Sequence, residues 1–178
     1  MAQHLVVTAI GADRVGIVSQ LARLVSDCNC NILDSRMAIF GNEFTFIMLL
    51  AGDALAISKI EVQLPSLGLE LDLLTMSKRT TSYHQLPISV PYVLEYRGND
   101  RVGTLGAISS LLALHNVDIG SLRSETLPSA LGPQTHTVMT VHLPADVDPQ
   151  WLKQLVLDKL SNMSLQGQFS VLSTQGST

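Results

Sequence analysis

The sequence predicts an α+β protein in which one β-α-β-β-α-β unit is used twice. Three observations lead there. A motif recurs at an offset of 87 residues, strand-like and helix-like patterning recurs with it, and a polar stretch with two prolines separates the copies.

The repeat is explicit. Gly11-Ala12-Asp13-Arg14-Val15-Gly16 returns as Gly98-Asn99-Asp100-Arg101-Val102-Gly103, and the same offset pairs Val6 with Val93, Leu24 with Leu111, Asn29 with Asn116, Ile32 with Ile119 and Arg36 with Arg123. Between 10–37 and 97–124, nine of 28 positions are identical. Further on, an offset of 93 pairs Phe46, Met48 and Leu50 with Met139, Val141 and Leu143, which implies a six-residue insertion within Pro128 to Pro133. Internal repetition of this kind is the first feature to seek in a chain.

Each element follows from local pattern. Leu5 to Ile10 is an apolar, β-branched run suited to a central strand. Val18, Leu21, Val25 and Cys28 fall at helical spacing, as do Leu105, Ile108 and Leu112. Asp13 and Asp100 precede these helices as expected caps, and Asn29 and Asn116 follow them, where Asn tolerates the left-handed turn. A strand is predicted from Asn31 to Ile39, a turn at Gly41-Asn42, and a strand on which Phe44, Phe46, Met48 and Leu50 alternate. Leu55, Ile57, Ile60 and Leu64 predict a second helix ending near Pro65, before a closing strand with Leu69, Leu71 and Leu73. In the second copy Asp148-Pro149 is a strong helix start, continued by Leu152, Leu155, Val156 and Leu160. The order is that of the ferredoxin-like arrangement, an antiparallel sheet with both helices on one face. The expected domains are 1–80 and 91–178, joined by a linker at 81–90 within the polar stretch Lys78 to Pro91.

Composition excludes several classes. The chain has 178 residues, a formal net charge of −4 and 46% hydrophobic residues, enough for packed cores without long disorder. Its eleven Lys and Arg are scattered, so direct nucleic-acid contact is not expected. No basic leader precedes the short apolar run at the N-terminus, and that run is far below the roughly 20 residues of a membrane span. The two cysteines, Cys28 and Cys30, lie too close for an ordinary disulfide and have no second Cys/His pair at zinc-binding spacing. A cytoplasmic protein without a metal or other cofactor is expected.

Catalytic patterns are missing as well. His4, His84, His115, His136 and His142 show no metalloprotease or nucleophile-elbow context, and Ser19, Ser109 and Ser110 lack a triad. Gly98 to Gly103 lacks the Lys-Ser/Thr of a phosphate-binding loop. A hydrolase of this fold is therefore disfavoured, and no helix-turn-helix stands outside the two units.

The repeated turn suits a small zwitterion. Amides at Gly16 and Ile17 open a helix and can take a carboxylate, while the Asp13 side chain can take an ammonium. The same residues also read as a capped helix with a glycine for close packing. Asp-Arg-Val-Gly, a helix, and then Asn-x-Asn-Ile together resemble the ACT domain, in both copies and so over nearly the whole chain. That resemblance implies amino-acid binding by the first strand-to-helix loop and the polar residue opening the second strand, often across paired domains. Carried over, it implicates Asp13, Gly16, Ile17 and Asn31 in the first unit, and Asp100, Gly103, Thr104 and Asp118 in the second.

The resemblance further implies a regulator of transcription rather than an enzyme. Its expected ligand is a small amino acid, glycine foremost, and its expected partner a DNA-bound transcriptional activator of glycine cleavage genes, which it would restrain without touching DNA. The alternative is a ligand-sensing interaction module that controls a metabolic enzyme. Sheet edges or helix faces of two domains, or of two copies in a homodimer, are expected to dock and frame the loops at 11–17 and 98–104. Two departures matter: the family often has Asn at the loop position where both units have Asp, and the second unit has Asp118 in place of Asn31. A carboxylate repels a ligand carboxylate by roughly 1 kcal/mol per close pair in water, so the two sites are expected to differ.

Overall fold

The computed structural model describes residues 2–81, 90–130 and 132–172. In chain order the elements are β1 (Gln3–Ala12), α1 (Ile17–Asp27), β2 (Asn31–Phe40), β3 (Glu43–Gly52), α2 (Ala54–Glu70), β4 (Leu73–Thr80), β5 (Pro91–Asn99), α3 (Thr104–Leu114), β6 (Asp118–Leu127), β7 (Gln134–His142), α4 (Pro149–Asn162) and β8 (Leu165–Val171). They form two compact units, one with β1 to β4 and one with β5 to β8. Each unit has a four-stranded antiparallel sheet, ordered β2-β3-β1-β4 and β6-β7-β5-β8.

The first core lies between its sheet and helices. Leu5, Val7 and Ala9 on β1 and Phe44, Met48 and Leu50 on β3 face Leu21 and Val25 of α1 and Ile57, Ile60 and Leu64 of α2. The second repeats this with Leu94, Tyr96, Met139 and Val141 under Ile108, Leu112, Leu152 and Val156, and Tyr92 stacks on Phe169 at 5.1 Å. The inward positions of α1 and α3 start one residue earlier than the spacing suggested. Ile17 and Thr104 are buried, whereas Val18 and Leu105 are 40% and 38% exposed.

Turn chemistry agrees with the residue types. Asn29 and Asn116 adopt φ of 61° and 55°, the left-handed region that Asn tolerates better than most side chains. Asp148 caps α4, accepting from the amides of Gln150 (3.2 Å) and Trp151 (3.3 Å) ahead of Pro149.

Four expectations are corrected. First, α2 does not stop at Pro65 but runs through it to Glu70. Pro65 is exposed, and its missing N–H leaves the carbonyl of Glu61 without its helical donor. The proline costs about 3 kcal/mol, and the continued helix packs Leu67 on the core and brings the cap residue Leu71 into it, at roughly 1.5–3 kcal/mol for a fully buried side chain. Second, Leu69 is therefore helical and 85% exposed, Leu71 is the helix cap, and the closing strand starts at Leu73.

Third, the repeat offset in the third strand is 91, because Ala9 is level with Phe46 while its counterpart Tyr96 is level with Thr137. The insertion is thus four residues, matching a β6–β7 connection of six residues against two between β2 and β3. A slip of two residues leaves every side chain on its original face, so alternation alone cannot detect it. Fourth, Lys78, Arg79 and Thr80 belong to β4 and Pro91 opens β5. An edge strand accepts polar residues on its open side, and Arg79 is held there by Glu61 at 2.7 and 2.8 Å and by Gln3 at 2.9 Å. Of the linker at 81–90, residues 82–89 lie outside the described residues.

Candidate functional site

The loop between β1 and α1 is tied down at both sides. The Asp13 amide donates to the Asn42 carbonyl at 3.1 Å, which fastens the loop to the β2–β3 turn. The Arg14 guanidinium donates to the carbonyl of Leu71, the cap at the end of α2. Gly11, which opens the motif, has no room for a Cβ: the atom would meet the Asp72 carbonyl and the Leu73 side chain at 2.7 Å. Its counterpart Gly98 is confined in the same way by Leu165.

Asp13 and Asp100 do not cap the helices, contrary to expectation. The N-cap positions are Gly16 and Gly103, with φ of 98° and 87°, and neither helix has a side-chain cap. Three residues separate each aspartate from its cap, too far to serve the first-turn amides. Ile17 N–H reaches the Arg14 carbonyl only at 3.5 Å, and the first regular helical bond runs from Gln20 N–H to Gly16 at 3.1 Å. Val18 and Ser19 therefore sit in the first turn, where amides have no intrahelical acceptor. The second unit repeats this: Thr104 N–H to Arg101 at 3.3 Å, then Ala107 N–H to Gly103 at 2.9 Å. Glycine is required at both caps, since a side chain there would strain the left-handed backbone. By contrast, α2 and α4 are closed by Asp53 and Asp148.

The predicted site residues divide into two groups. Asp13, Gly16 and Ile17 cluster at the far end of β1, with Asp13 exposed and Ile17 buried, and Asp100, Gly103 and Thr104 do the same beyond β5. The Asp100 carboxylate accepts from the Thr126 hydroxyl at 3.2 Å, and the Thr104 hydroxyl donates to the Arg101 carbonyl at 2.9 Å. Asn31 and Asp118 stand elsewhere. Asn31 is level with Ala51, and Ala51 with His4, at the opposite end of the sheet from Ala12. The eight steps from His4 to Ala12 span about 27 Å at about 3.4 Å each. Asp118 is placed likewise, level with His142 and Pro91. One unit by itself does not unite the loop with the start of its second strand.

Some of what surrounds these loops was not foreseen. Ser19 donates to the Gly16 carbonyl at 2.8 Å, and Val15 and Val102 stand fully exposed at the two loop tips. On the helix-free face of the second sheet, Glu95 accepts from Gln168 (2.7 Å), Arg97 (2.8 Å) and His136 Nε2 (2.9 Å). His136 Nδ1 lies 3.6 Å from Glu125, which pairs with Arg123 at 3.0 Å. Gln168 first, then His136 and Arg97, hold the Glu95 carboxyl below its ordinary range. The level pairing of Glu125 with His136 across β6 and β7 is the signal that an earlier register assignment would have exposed.

This network is not a metal centre. The two carboxylates flank opposite edges of the imidazole, and among the described residues no group of three or more His, Cys, Asp or Glu could hold a metal ion. Cys28 is buried and donates to Gln63 at 3.4 Å, Cys30 is partly buried, and both are free. Burial pushes both thiols up, away from the thiolate that metal binding or redox chemistry needs. Among the described residues no helix is long and apolar enough to cross a membrane.

Comparison with known proteins adds four findings. The ACT domain family matches residues 3–78. The glycine cleavage system transcriptional repressor of Escherichia coli K12 is 40% identical over 171 residues, covering 95% of this chain and 90% of that protein. A solved structure provisionally assigned as a repressor of that system is 33% identical with a TM-score of 0.76, covering 98% of this chain and 99% of that one. An unknown protein of Galdieria sulphuraria shares the architecture at a TM-score of 0.73 and 27% identity, covering 97% of this chain and all of the other.

Proposed function

The chain belongs to the ACT domain family, together with the glycine cleavage system transcriptional repressors that it matches over nearly its whole length, and from that premise we propose an amino-acid-responsive repressor of glycine cleavage genes. It takes a small amino acid, glycine foremost, and acts by binding a DNA-bound activator protein rather than DNA.

The observation that carries the ligand half of this reading is the contrast between the helix starts. α2 and α4 are closed by aspartates, while α1 and α3 open on left-handed glycines without any side-chain cap. Uncapped first-turn amides carry partial positive charge and suit a carboxylate. Asp13 or Asp100, exposed at the same loop, suits the ammonium three or four bonds away in an α-amino acid. Glycine is favoured over larger residues because its two charged groups fill both roles without a side chain to house. Asn31 and Asp118 complete such a site only across two copies of the chain, since their own loop is a strand's length away. A ligand shared in this manner changes affinity between states, because separating the copies removes part of its contacts; typical couplings are about 1–3 kcal/mol.

The activator half rests on kinship and on charge. A formal charge of −4 does not suit a direct DNA contact, and the Escherichia coli relative is a transcriptional repressor. The test is calorimetric titration of the twenty amino acids against the whole chain and against Asp13→Ala, Gly16→Val and Asn31→Ala. Glycine binding that weakens in all three variants while they stay folded supports the reading. Wild-type protein that binds no amino acid overturns it. A gel shift with the operon's activator present and absent separates protein-mediated from direct repression.

A further inference from the structure

We infer that the helix-free face of the first sheet is a dimer interface, covered by the same face of a second copy of this chain. The observation is a divergence between two faces that the duplication made equivalent. Sister positions lie 87 residues apart on β1 and β5, 91 on β3 and β7, and 92 on β4 and β8. Glu95, Arg97, His136, Gln166 and Gln168 of the second unit thus answer to Thr8, Ile10, Thr45, Leu74 and Met76 of the first. One face carries a hydrogen-bonded charge network. The other is apolar over β3, β1 and β4, where Leu74 is 74% exposed, Met76 67%, Ile47 43% and Ile10 38%, and it carries an exposed ion pair, Arg36 with Asp34 at 3.8 Å, on its β2 edge.

These side chains form one patch. Leu74 is level with Ile10, and Met76 and Ile47 flank Thr8 on either side. At about 200 Å² for a large residue their exposed fractions leave roughly 450 Å² uncovered, the size of the largest apolar patch on a typical monomer, which is often functional. Two such patches, with half-buried Val6 and Leu49 at their margin, bury roughly 1,000 Å², the floor for a specific association.

Charge chooses the occupant. The charged face of another copy's second unit suits it poorly, because laying an apolar patch on Glu95, Arg97 and His136 strips them of water without giving them partners. A second copy of the patch fits, and its rim fixes the orientation. Asp34, Leu49, Val6 and Lys78 form one row across the face, with Asp34 on the β2 edge and Lys78 on the β4 edge. Turning a second sheet over about a twofold parallel to the strands keeps that row level and exchanges its edges. Asp34 of each copy then meets Lys78 of the other, twice, around an apolar centre, in the aligned packing that stacked sheets prefer.

The experiment is sedimentation velocity on the whole chain from about 1 to 100 µM, a span that covers micromolar association. Wild type should be a dimer at the upper end, and Ile47→Glu with Met76→Glu a monomer throughout. Lys78→Glu should weaken dimerisation roughly tenfold, and adding Asp34→Lys should restore it to within about twofold of wild type. Both rim positions are exposed, so the charge swap reads association rather than folding, and circular dichroism confirms the fold of each variant. A wild type that stays monomeric overturns the inference, even if the Glu variant loses a different protein partner. So does a dimer indifferent to the Glu substitutions, or a swap that fails to rescue.

Discussion

Arg14 donates to the backbone carbonyl of Leu71, and this bond joins the β1–α1 loop to the end of α2 across 57 residues of sequence. The carbonyls of a helix's last turn have no helical donor, so the guanidinium satisfies one while holding the loop in place. No counterpart runs from Arg101 to the end of α4 among the described residues.

Arg14→Ala is therefore expected to lower stability by about 1 kcal/mol, the discounted worth of a charge-assisted hydrogen bond at an exposed side chain. Arg101→Ala should stay within about 0.5 kcal/mol of wild type. Urea denaturation of both variants checks the pair, and equal losses would contradict the asymmetry.

What the sequence made legible was mostly periodic. The repeat, the six-element order, the left-handed Asn29 and Asn116 and the Asp148-Pro149 start all follow from local rules and recur in the fold. Three-dimensional accounting decided the rest. The offset of the third strand missed by two residues because Phe46 aligns with Met139 or Thr137 equally well in facing. Asp13 looked like a cap because it precedes the helix, but Gly16 holds that position in a conformation that only glycine takes readily.

The candidate site was half legible for a similar reason. Chain spacing brings Gly16 and Asn31 within fifteen residues, yet α1 carries the chain back along the sheet, so β2 starts where β1 starts. Antiparallel pairing of β3 with both strands then fixes Asn31 beside the His4 end. The charge network on β5, β7 and β8 was hidden because its members come from strands whose register only the fold supplies.

Pro65 makes a second test. Replacing it with alanine returns an N–H to the helix and removes the ring from an exposed turn. Alanine is about 3 kcal/mol better than proline inside a helix, while the freer unfolded chain takes back about 0.4–1 kcal/mol. Some distortion is already accommodated, so Pro65→Ala should gain about 1–2 kcal/mol. A loss of stability would mean that the proline ring itself helps to seat Leu64 and Leu67.

Glu95 predicts an acid limb in the stability of the second unit. Its carboxyl is held below the ordinary value by Gln168, His136 and Arg97. A depressed folded pKa stabilises fully above the unfolded value of about 4.3 and is lost as pH falls through the folded one. Urea midpoints measured from about pH 6 downward should fall less steeply for Glu95→Gln than for wild type. Glu61 and Glu125, lowered mainly by Arg79 and Arg123, leave a residual slope. Parallel curves for the two proteins would show that Glu95 is not linked to folding.

The last prediction separates capping from ligand contact. Asp53 and Asp148 accept from first-turn amides, Asp53 from Ala56 at 2.8 Å, and removing such a cap costs about 1 kcal/mol. Asp13 accepts no bond of this kind, because the cap of α1 falls three residues later. Asp53→Ala and Asp148→Ala should each lower the urea midpoint by that amount, whereas Asp13→Ala should leave it unchanged within about 0.5 kcal/mol. The comparison matters for function, since an Asp13→Ala protein as stable as wild type can lose amino-acid binding only at the site itself. If Asp13→Ala proves as damaging as the two cap variants, its carboxylate serves the loop's fold, and the ammonium must be sought by another group.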